Sequence, residues 1–367
     1  MLVKIRCNNK IIQNIHIKIF SSNLRYLNKE KKKKRGDNVV TLHKMATNIK
    51  RELSVDLDLD EFTLDFFPFF RVCKDGHVDR YILTMEEKPG IDPITGVQTK
   101  DIVISNDPAI TGRIFLPKMD DTGDDTGDPK SKKGLQLFVH FHGGSFCTGS
   151  AFSPITKEFL TQLVSRAQVI AITVNFRLAP EYPLPIAYDD CWAAFKWVAS
   201  HANGNGSEPW LNEYVDFNRV FVGGESSGAN LAHDVAIRAS VEPIGEGLKL
   251  IGLLAIQPYF TTRENIRLIQ YLYPSSRELD NEPKLNPNID PRSCKLVCDK
   301  VLICVAENDR FKERGLTYYY SLKSRWEGNV ELVDTLGEGH CFHLLNAKSP
   351  NIEHLMAKLV SFIKKDD

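Results

Sequence analysis

Short apolar runs recur along the chain from residue 135 onward and alternate with longer segments of helical character. A run that is apolar at nearly every position, rather than at every second one, is typical of a strand buried on both faces of a sheet. Stretches such as 186–201 and 227–240 predict connecting helices, and the alternation indicates an α/β fold: a mostly parallel central sheet with helices on both faces. Six runs are predicted to be strands: LQLFVHF (135–141), VIAITVNF (169–176), RVFVGG (219–224), LIGLLAI (250–256), VLICVA (301–306) and VELVDT (330–335).

The chain before these runs is different in composition. Residues 1–44 carry twelve Lys or Arg against two acids, which predicts a basic, disordered extension. A targeting signal and an upstream reading that begins before the true start are the alternatives for this segment. Residues 45–367 are predicted to form a single α/β domain. Within it, residues 45–100 include an amino-terminal cap segment, because five phenylalanines within residues 62–70 need cover.

Composition and charge narrow the classes of partner. The chain is 42% hydrophobic and 26% charged, as in ordinary globular proteins, and it has no apolar run near the roughly 18 residues that span a bilayer. The formal net charge is zero, so removing the +10 of the first 44 residues leaves −10 on the body, which argues against nucleic acid. Eight cysteines without a CxxC pair, and no apolar secretory core at the amino terminus, predict reduced thiols and a cytoplasmic location.

A nucleophile motif lies at one predicted strand–helix junction. Gly224, Glu225, Ser226, Ser227 and Gly228 form the sequence G-x-S-x-G at the end of the run 219–224. In a nucleophile elbow the serine occupies a strained turn with its hydroxyl exposed, and small flanking residues are needed where strand and helix pass closely. Ser226 is therefore the predicted nucleophile.

A second loop provides candidate donors for an oxyanion. The sequence FHGGSF (141–146) directly follows the predicted strand 135–141. The backbone amides of Gly143, Gly144 and Ser145, with the amide of Ser227, are predicted to form the oxyanion hole. The alternative for His142 is a metal ligand paired with His140. Since no further ligand lies at metal-site spacing, we expect neither a metal nor another cofactor.

The nucleophile needs a base and an orienting acid, which in this fold follow it along the chain on loops after later strands. The strand 301–306 is followed by ENDR, in which Asp309 is preferred over Glu307 because Glu307 lies nearer the strand. The strand 330–335 is followed by LGEGHCFH, in which His340 is preferred over His343 because it sits in a glycine-rich turn.

These motifs are familiar as a set. HGG-x-F, FRLAPEYPLPIAYDD (176–190), GESSGAN and EGHCFH resemble the plant carboxylesterases of the hormone-sensitive lipase class, over about residues 58–365. The resemblance implies the α/β-hydrolase fold, a triad of Ser226, Asp309 and His340, an oxyanion hole from the HGG loop and Ser227, and an amino-terminal cap over the pocket. Arg177 and Glu181 of the RLAPE motif are expected to be structural.

Three departures from the family pattern stand out. Ser145 replaces a third glycine, Glu225 replaces an aspartate, and the stretch between Pro258 and Leu302, which normally contributes a helix over the acyl pocket, is shorter. The expected function is hydrolysis of a small-molecule carboxylic ester in plant specialised metabolism, by a monomer or homodimer. Lyases of isoflavonoid or indole alkaloid pathways are the main alternative. Gibberellin receptors are a weaker one, since they replace the histidine that stands here at position 340.

Overall fold

The computed structural model describes residues 62–119, 134–261, 266–276 and 278–365. The basic segment 1–44 lies outside these residues, and its predicted disorder stays a prediction. Residues 120–133 also lie outside the described ranges.

Two sheets organise the described chain. A small antiparallel sheet contains β1 (Phe62–Phe66), β2 (Phe70–Cys73) and β3 (Val78–Arg80). The large sheet has the order β4-β5-β7-β6-β8-β9-β10-β11, in which β4 and β5 are antiparallel to their neighbours and the strands from β7 across to β11 are parallel. Its strands are β4 (Gln98–Asn106), β5 (Ala109–Leu116), β6 (Leu135–Phe141), β7 (Ile170–Asn175), β8 (Val215–Glu225), β9 (Leu250–Ile256), β10 (Lys300–Ala306) and β11 (Asn329–Thr335).

The six predicted runs are the strands β6 to β11, and the packing explains their continuous apolarity. Successive residues of one strand point to opposite faces, and both faces are covered. In β8, Val220 and Val222 belong to the hydrophobic cluster on one face, whereas Phe221 belongs to the cluster on the other. All three side chains are fully buried. The parallel part of the sheet therefore lies between two helical layers.

Those layers are built from amphipathic helices. The face that contains Val220 is covered by α2, α4 and α6, and the opposite face is covered by α1 and α8. Helix α1 begins at Pro154, with the Ser153 hydroxyl accepting a hydrogen bond from the Thr156 amide at 3.2 Å as its N-cap. The helices are α1 (Pro154–Ala167), α2 (Ile186–Ala199), α3 (Pro209–Tyr214), α4 (Ser227–Arg238), α5 (Ile266–Leu272), α6 (Lys312–Arg325), α7 (Phe342–Leu345) and α8 (Ile352–Lys364). None of the helices in the described chain has the length and apolarity to cross a bilayer.

The small sheet lies within the predicted cap segment and packs against helix α5. The Phe66 ring packs against Phe70, with centroids 5.2 Å apart, and against Tyr271 of α5, with centroids 4.9 Å apart. Phe70 is completely buried in a cluster that includes Leu268 and Leu272. In the stretch after Pro258, which the resemblance suggested is short, the described residues include helix α5, and this helix packs on the small sheet.

Candidate active site

The turn between β8 and α4 has the conformation of a nucleophile elbow. Ser226 has φ 55° and ψ −121°, a backbone conformation that residues other than glycine rarely adopt. A Cβ atom on Gly224 would lie 2.1 Å from the Phe141 carbonyl oxygen, and one on Gly228 would lie 1.8 Å from the same atom. Only glycine fits at either position, which is the physical reason for the G-x-S-x-G spacing.

The structure brings Ser226, His340 and Asp309 together, and these three residues are called the relay below. His340 Nε2 lies 2.8 Å from Ser226 Oγ, and His340 Nδ1 lies 2.7 Å from Asp309 Oδ2. Because the carboxylate can only accept, Nδ1 carries the proton and Nε2 is left to accept from the serine hydroxyl. The Asp309 side chain is 1% exposed, and its other oxygen accepts from the Phe311 amide at 2.8 Å. Serine, imidazole and carboxylate thus form one hydrogen-bonded line.

Glu307 and His343, which were not preferred as acid and base, have other contacts. Glu307 is exposed and accepts a hydrogen bond from the Gly337 amide at 2.7 Å, so it supports the turn before His340 rather than the imidazole. The His343 ring packs edge-on against Phe159, and both of its nitrogens are buried with no partner in the described part of the chain. Burial lowers the pKa of His343 to about 4.

The oxyanion loop requires one correction. The Gly143 amide donates to Glu225 Oε1 at 2.6 Å, so this amide does not face an oxyanion and Gly143 is removed from the predicted donors. For the amides of Gly144, Ser145 and Ser227 we find no acceptor among the described residues. Gly144 has φ 119°, and a Cβ there would lie 2.0 Å from the Thr148 carbonyl oxygen.

Sequence reasoning missed the reason for this arrangement, a buried polar network behind the elbow. Glu225 Oε2 lies 2.9 Å from His140 Nε2, and His140 Nδ1 lies 3.0 Å from Thr173 Oγ1. Burial opposes ionisation of Glu225, but the His140 imidazole and the hydrogen bonds from His140 and Gly143 outweigh it and lower the pKa of the carboxyl. One signal was available: the strand Leu135–Phe141 is apolar except for Gln136 and His140.

The neighbouring histidine of the HGG motif has a packing role. The His142 ring stacks on Phe176 with centroids 4.3 Å apart, and its Nδ1 lies 2.8 Å from the Gly143 carbonyl oxygen. Burial lowers the pKa of His142 to about 4. With His140 directed at Thr173 and Glu225, the two histidines do not converge on one point as metal ligands would.

A row of three aromatic rings packs against one side of the His340 imidazole. The Phe311 ring lies against the His340 imidazole with centroids 5.0 Å apart, Tyr259 packs on Phe311 at 4.7 Å, and Phe146 packs on Tyr259 at 5.5 Å. The three rings are at most 1% exposed. The Phe311 ring therefore covers one side of the imidazole, whereas the His340 side chain as a whole is 25% exposed.

Arg80 joins the small sheet to the residues after the HGG motif and to the RLAPE motif. Arg80 of β3 donates from Nε to the Cys147 carbonyl at 2.7 Å and from Nη2 to the Ala179 carbonyl at 3.2 Å. Its guanidinium also forms a bidentate pair with Glu181 at 2.8 and 2.6 Å. Arg177 pairs with the buried Asp190 at 2.6 Å. Both charged residues of the RLAPE motif are therefore held in ion pairs.

Comparison with known proteins identifies the family of the chain. Residues 138–344 match a family described as alpha/beta hydrolase fold. A 2-hydroxyisoflavanone dehydratase of Glycyrrhiza echinata is 37% identical over 318 residues, which cover 81% of this chain and 94% of that protein. "Probable carboxylesterase 13" of Arabidopsis thaliana is 37% identical over 330 residues, which cover 83% of this chain and 99% of that protein.

Solved structures agree on the fold. A hyperthermophilic esterase from Pyrobaculum calidifontis has a TM-score of 0.59 at 23% identity and covers 73% of this chain and 85% of its own. A thermostable carboxylesterase from a metagenomic library has a TM-score of 0.58 at 24% identity, with 73% and 88% covered. The predicted fold class is confirmed. The chain belongs to the α/β-hydrolase family that also contains these plant carboxylesterases and 2-hydroxyisoflavanone dehydratases, as the sequence resemblance predicted.

Proposed function

We propose that the protein is a serine carboxylesterase that hydrolyses a small-molecule carboxylic ester through an acyl-enzyme. The observation that carries the proposal is the line from Ser226 Oγ through the His340 imidazole to the buried Asp309 carboxylate, with contacts of 2.8 and 2.7 Å. This line has the order and geometry that make a serine hydroxyl nucleophilic.

In the proposed acylation step, Ser226 Oγ forms a bond to the ester carbonyl carbon while His340 Nε2 takes the hydroxyl proton. The carbonyl oxygen becomes an oxyanion, and the amides of Gly144, Ser145 and Ser227 are the proposed donors to it. The bond from carbon to the alcohol oxygen then breaks, and His340 gives its proton to the departing alcohol.

Deacylation repeats these steps with water as the nucleophile. His340 takes a proton from the water as it attacks the acyl carbon, and it returns that proton to Ser226 when the acid leaves. Asp309 keeps the imidazole in the tautomer with Nδ1 protonated throughout. The cycle needs no cofactor.

Turnover of p-nitrophenyl butyrate by the full chain tests the proposal. Ser226→Ala is expected to lower kcat/KM by about 10³-fold or more. Ser240→Ala is the matched control, because the Ser240 hydroxyl only donates to the Ile237 carbonyl at the far end of the same helix. Diethyl p-nitrophenyl phosphate should label the peptide that contains Ser226. Labelling elsewhere, or full turnover by Ser226→Ala, would contradict the assignment.

The relatives favour a second candidate, elimination of water from a β-hydroxy carbonyl compound. Two 2-hydroxyisoflavanone dehydratases match the chain, at 37% and 36% identity. In that reaction His340 would take the proton α to the carbonyl, and the same amides would stabilise the enolate. His340 would then give this proton to the β-hydroxyl, so that the bond from the β carbon to oxygen breaks, water leaves and the carbon–carbon double bond forms. No bond to Ser226 forms, so Ser226→Ala would abolish ester hydrolysis yet keep elimination. Assaying wild type and this variant on 2-hydroxyisoflavanone separates the two functions.

The setting of the reaction is also a proposal. We place the substrate in plant specialised metabolism, which the plant origin of the matched relatives supports. The cytoplasmic location, the choice between monomer and homodimer, and an alkaloid or isoflavonoid substrate stay predictions from the sequence.

A further inference from the structure

Gln257 occupies an unusual position beside the proposed relay. It is the first residue after β9, next to the elbow, where the Ser226 amide donates to the Ile256 carbonyl at 2.9 Å. Its own amide donates to the Cys304 carbonyl of β10 at 2.8 Å. Gln257 is 1% exposed and has φ 47°, a left-handed conformation for a residue that is not glycine and that precedes a proline. Such strain persists only where the surroundings hold it, and it gathers at functional sites.

The side chain of Gln257 holds the backbone on both sides of His340. Its Nε2 donates to the Gly339 carbonyl at 3.1 Å, and its Oε1 accepts from the Cys341 amide at 2.6 Å. A backbone carbonyl can only accept and an amide can only donate, so the orientation of the side-chain amide is fixed. Only a side chain with a donor and an acceptor at one end can make both bonds.

The loop that carries His340 has little regular structure to hold it. It runs from the end of β11 to α7, and Gly337 and Cys341 both have positive φ, at 76° and 51°. The imidazole must nevertheless reach Asp309 and Ser226 simultaneously. A displacement of about 1 Å in a reacting group costs on the order of 100-fold in rate, so the two bonds from Gln257 act where small movements matter most.

We propose that Gln257 is a positioning residue, whose side-chain amide fixes the backbone around His340 so that the imidazole bridges Asp309 and Ser226. The proposal rests on the proposed function, since it assigns His340 the role of base. Gln257 itself touches no reacting atom, because both of its side-chain bonds go to the backbone.

Two substitutions separate the two bonds. Gln257→Glu keeps the shape and the acceptor for the Cys341 amide but loses the donor to the Gly339 carbonyl. Gln257→Leu loses both. Asn212 offers a matched control, since its side chain makes the same pair of bonds to the backbone of Gly206, at 3.1 and 2.7 Å. Asn212 lies before the amino end of β8, whereas Ser226 follows the carboxyl end of that strand.

The experiment measures kcat and KM for p-nitrophenyl butyrate, the second-order rate of labelling by diethyl p-nitrophenyl phosphate, and Tm. For Gln257→Leu we expect kcat and the labelling rate to fall by about 10- to 100-fold, with KM within about threefold of wild type. Gln257→Glu should lie between Gln257→Leu and wild type. Asn212→Leu and Asn212→Asp should lower Tm without changing kcat per folded molecule.

The outcomes distinguish this proposal from the proposed function. If wild type turns over the ester through Ser226 but Gln257→Leu and Gln257→Glu keep wild-type kcat and labelling, only the role of Gln257 is overturned. The same follows if the Asn212 variants lose as much activity as the Gln257 variants, because the effect would then be general destabilisation. If wild type shows no turnover that depends on Ser226, the proposed function fails and this role fails with it. Should Gln257→Leu not fold, the kcat of folded Gln257→Glu decides.

Discussion

The buried histidine next to the relay leads to a test of stability against pH. His343 has two buried ring nitrogens without partners in the described chain, and its pKa is lowered to about 4 by burial. His343→Leu replaces the imidazole with an apolar side chain of similar size, in contact with Phe159 and Phe342. Because no hydrogen bond is lost, we expect this variant to be at least as stable as wild type at pH 8.

The size of the expected loss of stability at low pH follows from the pKa values of His343 in the folded and the unfolded chain. An unfolded histidine has a pKa of about 6.5, so it takes up a proton at a higher pH than His343 does in the folded protein. Protons therefore favour the unfolded chain, and stability falls as the pH drops from about 6.5 to about 4. At pH 5, RT ln[(1 + 10^1.5)/(1 + 10^−1)] gives a loss of about 2 kcal/mol relative to pH 8.

Urea unfolding followed by tryptophan fluorescence at pH 8 and pH 5 measures the effect. Between these pH values, the free energy of unfolding of His343→Leu should fall by about 2 kcal/mol less than that of wild type. His354→Leu, which removes an exposed histidine of α8, is the control and should behave as wild type. Equal pH dependence in His343→Leu and wild type would refute the argument that burial keeps this ring neutral. Ester turnover should survive in His343→Leu, because His340 is the proposed base, and its loss would move that role to His343.

Three further substitutions test other parts of the site. Asp309→Asn should lower kcat/KM for p-nitrophenyl butyrate by about 10³- to 10⁴-fold, because an amide can hold the wrong imidazole tautomer; a loss below tenfold would contradict the orienting role. Gly228→Ala should cost about 3 kcal/mol or more in urea unfolding, since its Cβ would lie 1.8 Å from a strand carbonyl; wild-type stability would show that the elbow can widen. Glu225→Gln should lower the free energy of unfolding at pH 8 by about 2 to 4 kcal/mol, because His140 would lose its carboxylate partner. An unchanged urea unfolding curve would exclude a stabilising pair of Glu225 and His140.

Much of the fold could be predicted because burial leaves a simple mark on a sequence. Strands covered on both faces, such as Leu250–Ile256, have no polar side chain and stand out from the helices beside them. The first two strands of the large sheet were not identified. In Gln98–Asn106, at the edge of the sheet, buried and exposed residues largely alternate, so the signal has a period of two rather than a continuous run. The range 45–100, which was predicted to include the cap segment, also contains the first three residues of this strand, which begins at Gln98.

The proposed relay could be predicted because chain order and strand ends determine which loops meet. Parallel strands deliver Ser226, Asp309 and His340 to one edge of the sheet, whatever the details of packing. The direction in which a single backbone N–H points could not be predicted in this way. Whether Gly143 faces an oxyanion or a carboxylate depends on local torsions and on the length of the Glu225 side chain, which the sequence does not display. The contact of Gln257 with the loop around His340, more than 80 residues away, left no local pattern either.

The arginine at the end of the third strand has a consequence for how this enzyme's parts depend on one another. A chain shortened to residues 138–344, the part that matches the family, would keep serine, histidine and aspartate but lose Arg80. The carbonyl groups of Cys147 and Ala179 would then lack the guanidinium that ties them together. The region that matches the family is thus held in part by a segment that contributes none of the proposed reacting groups.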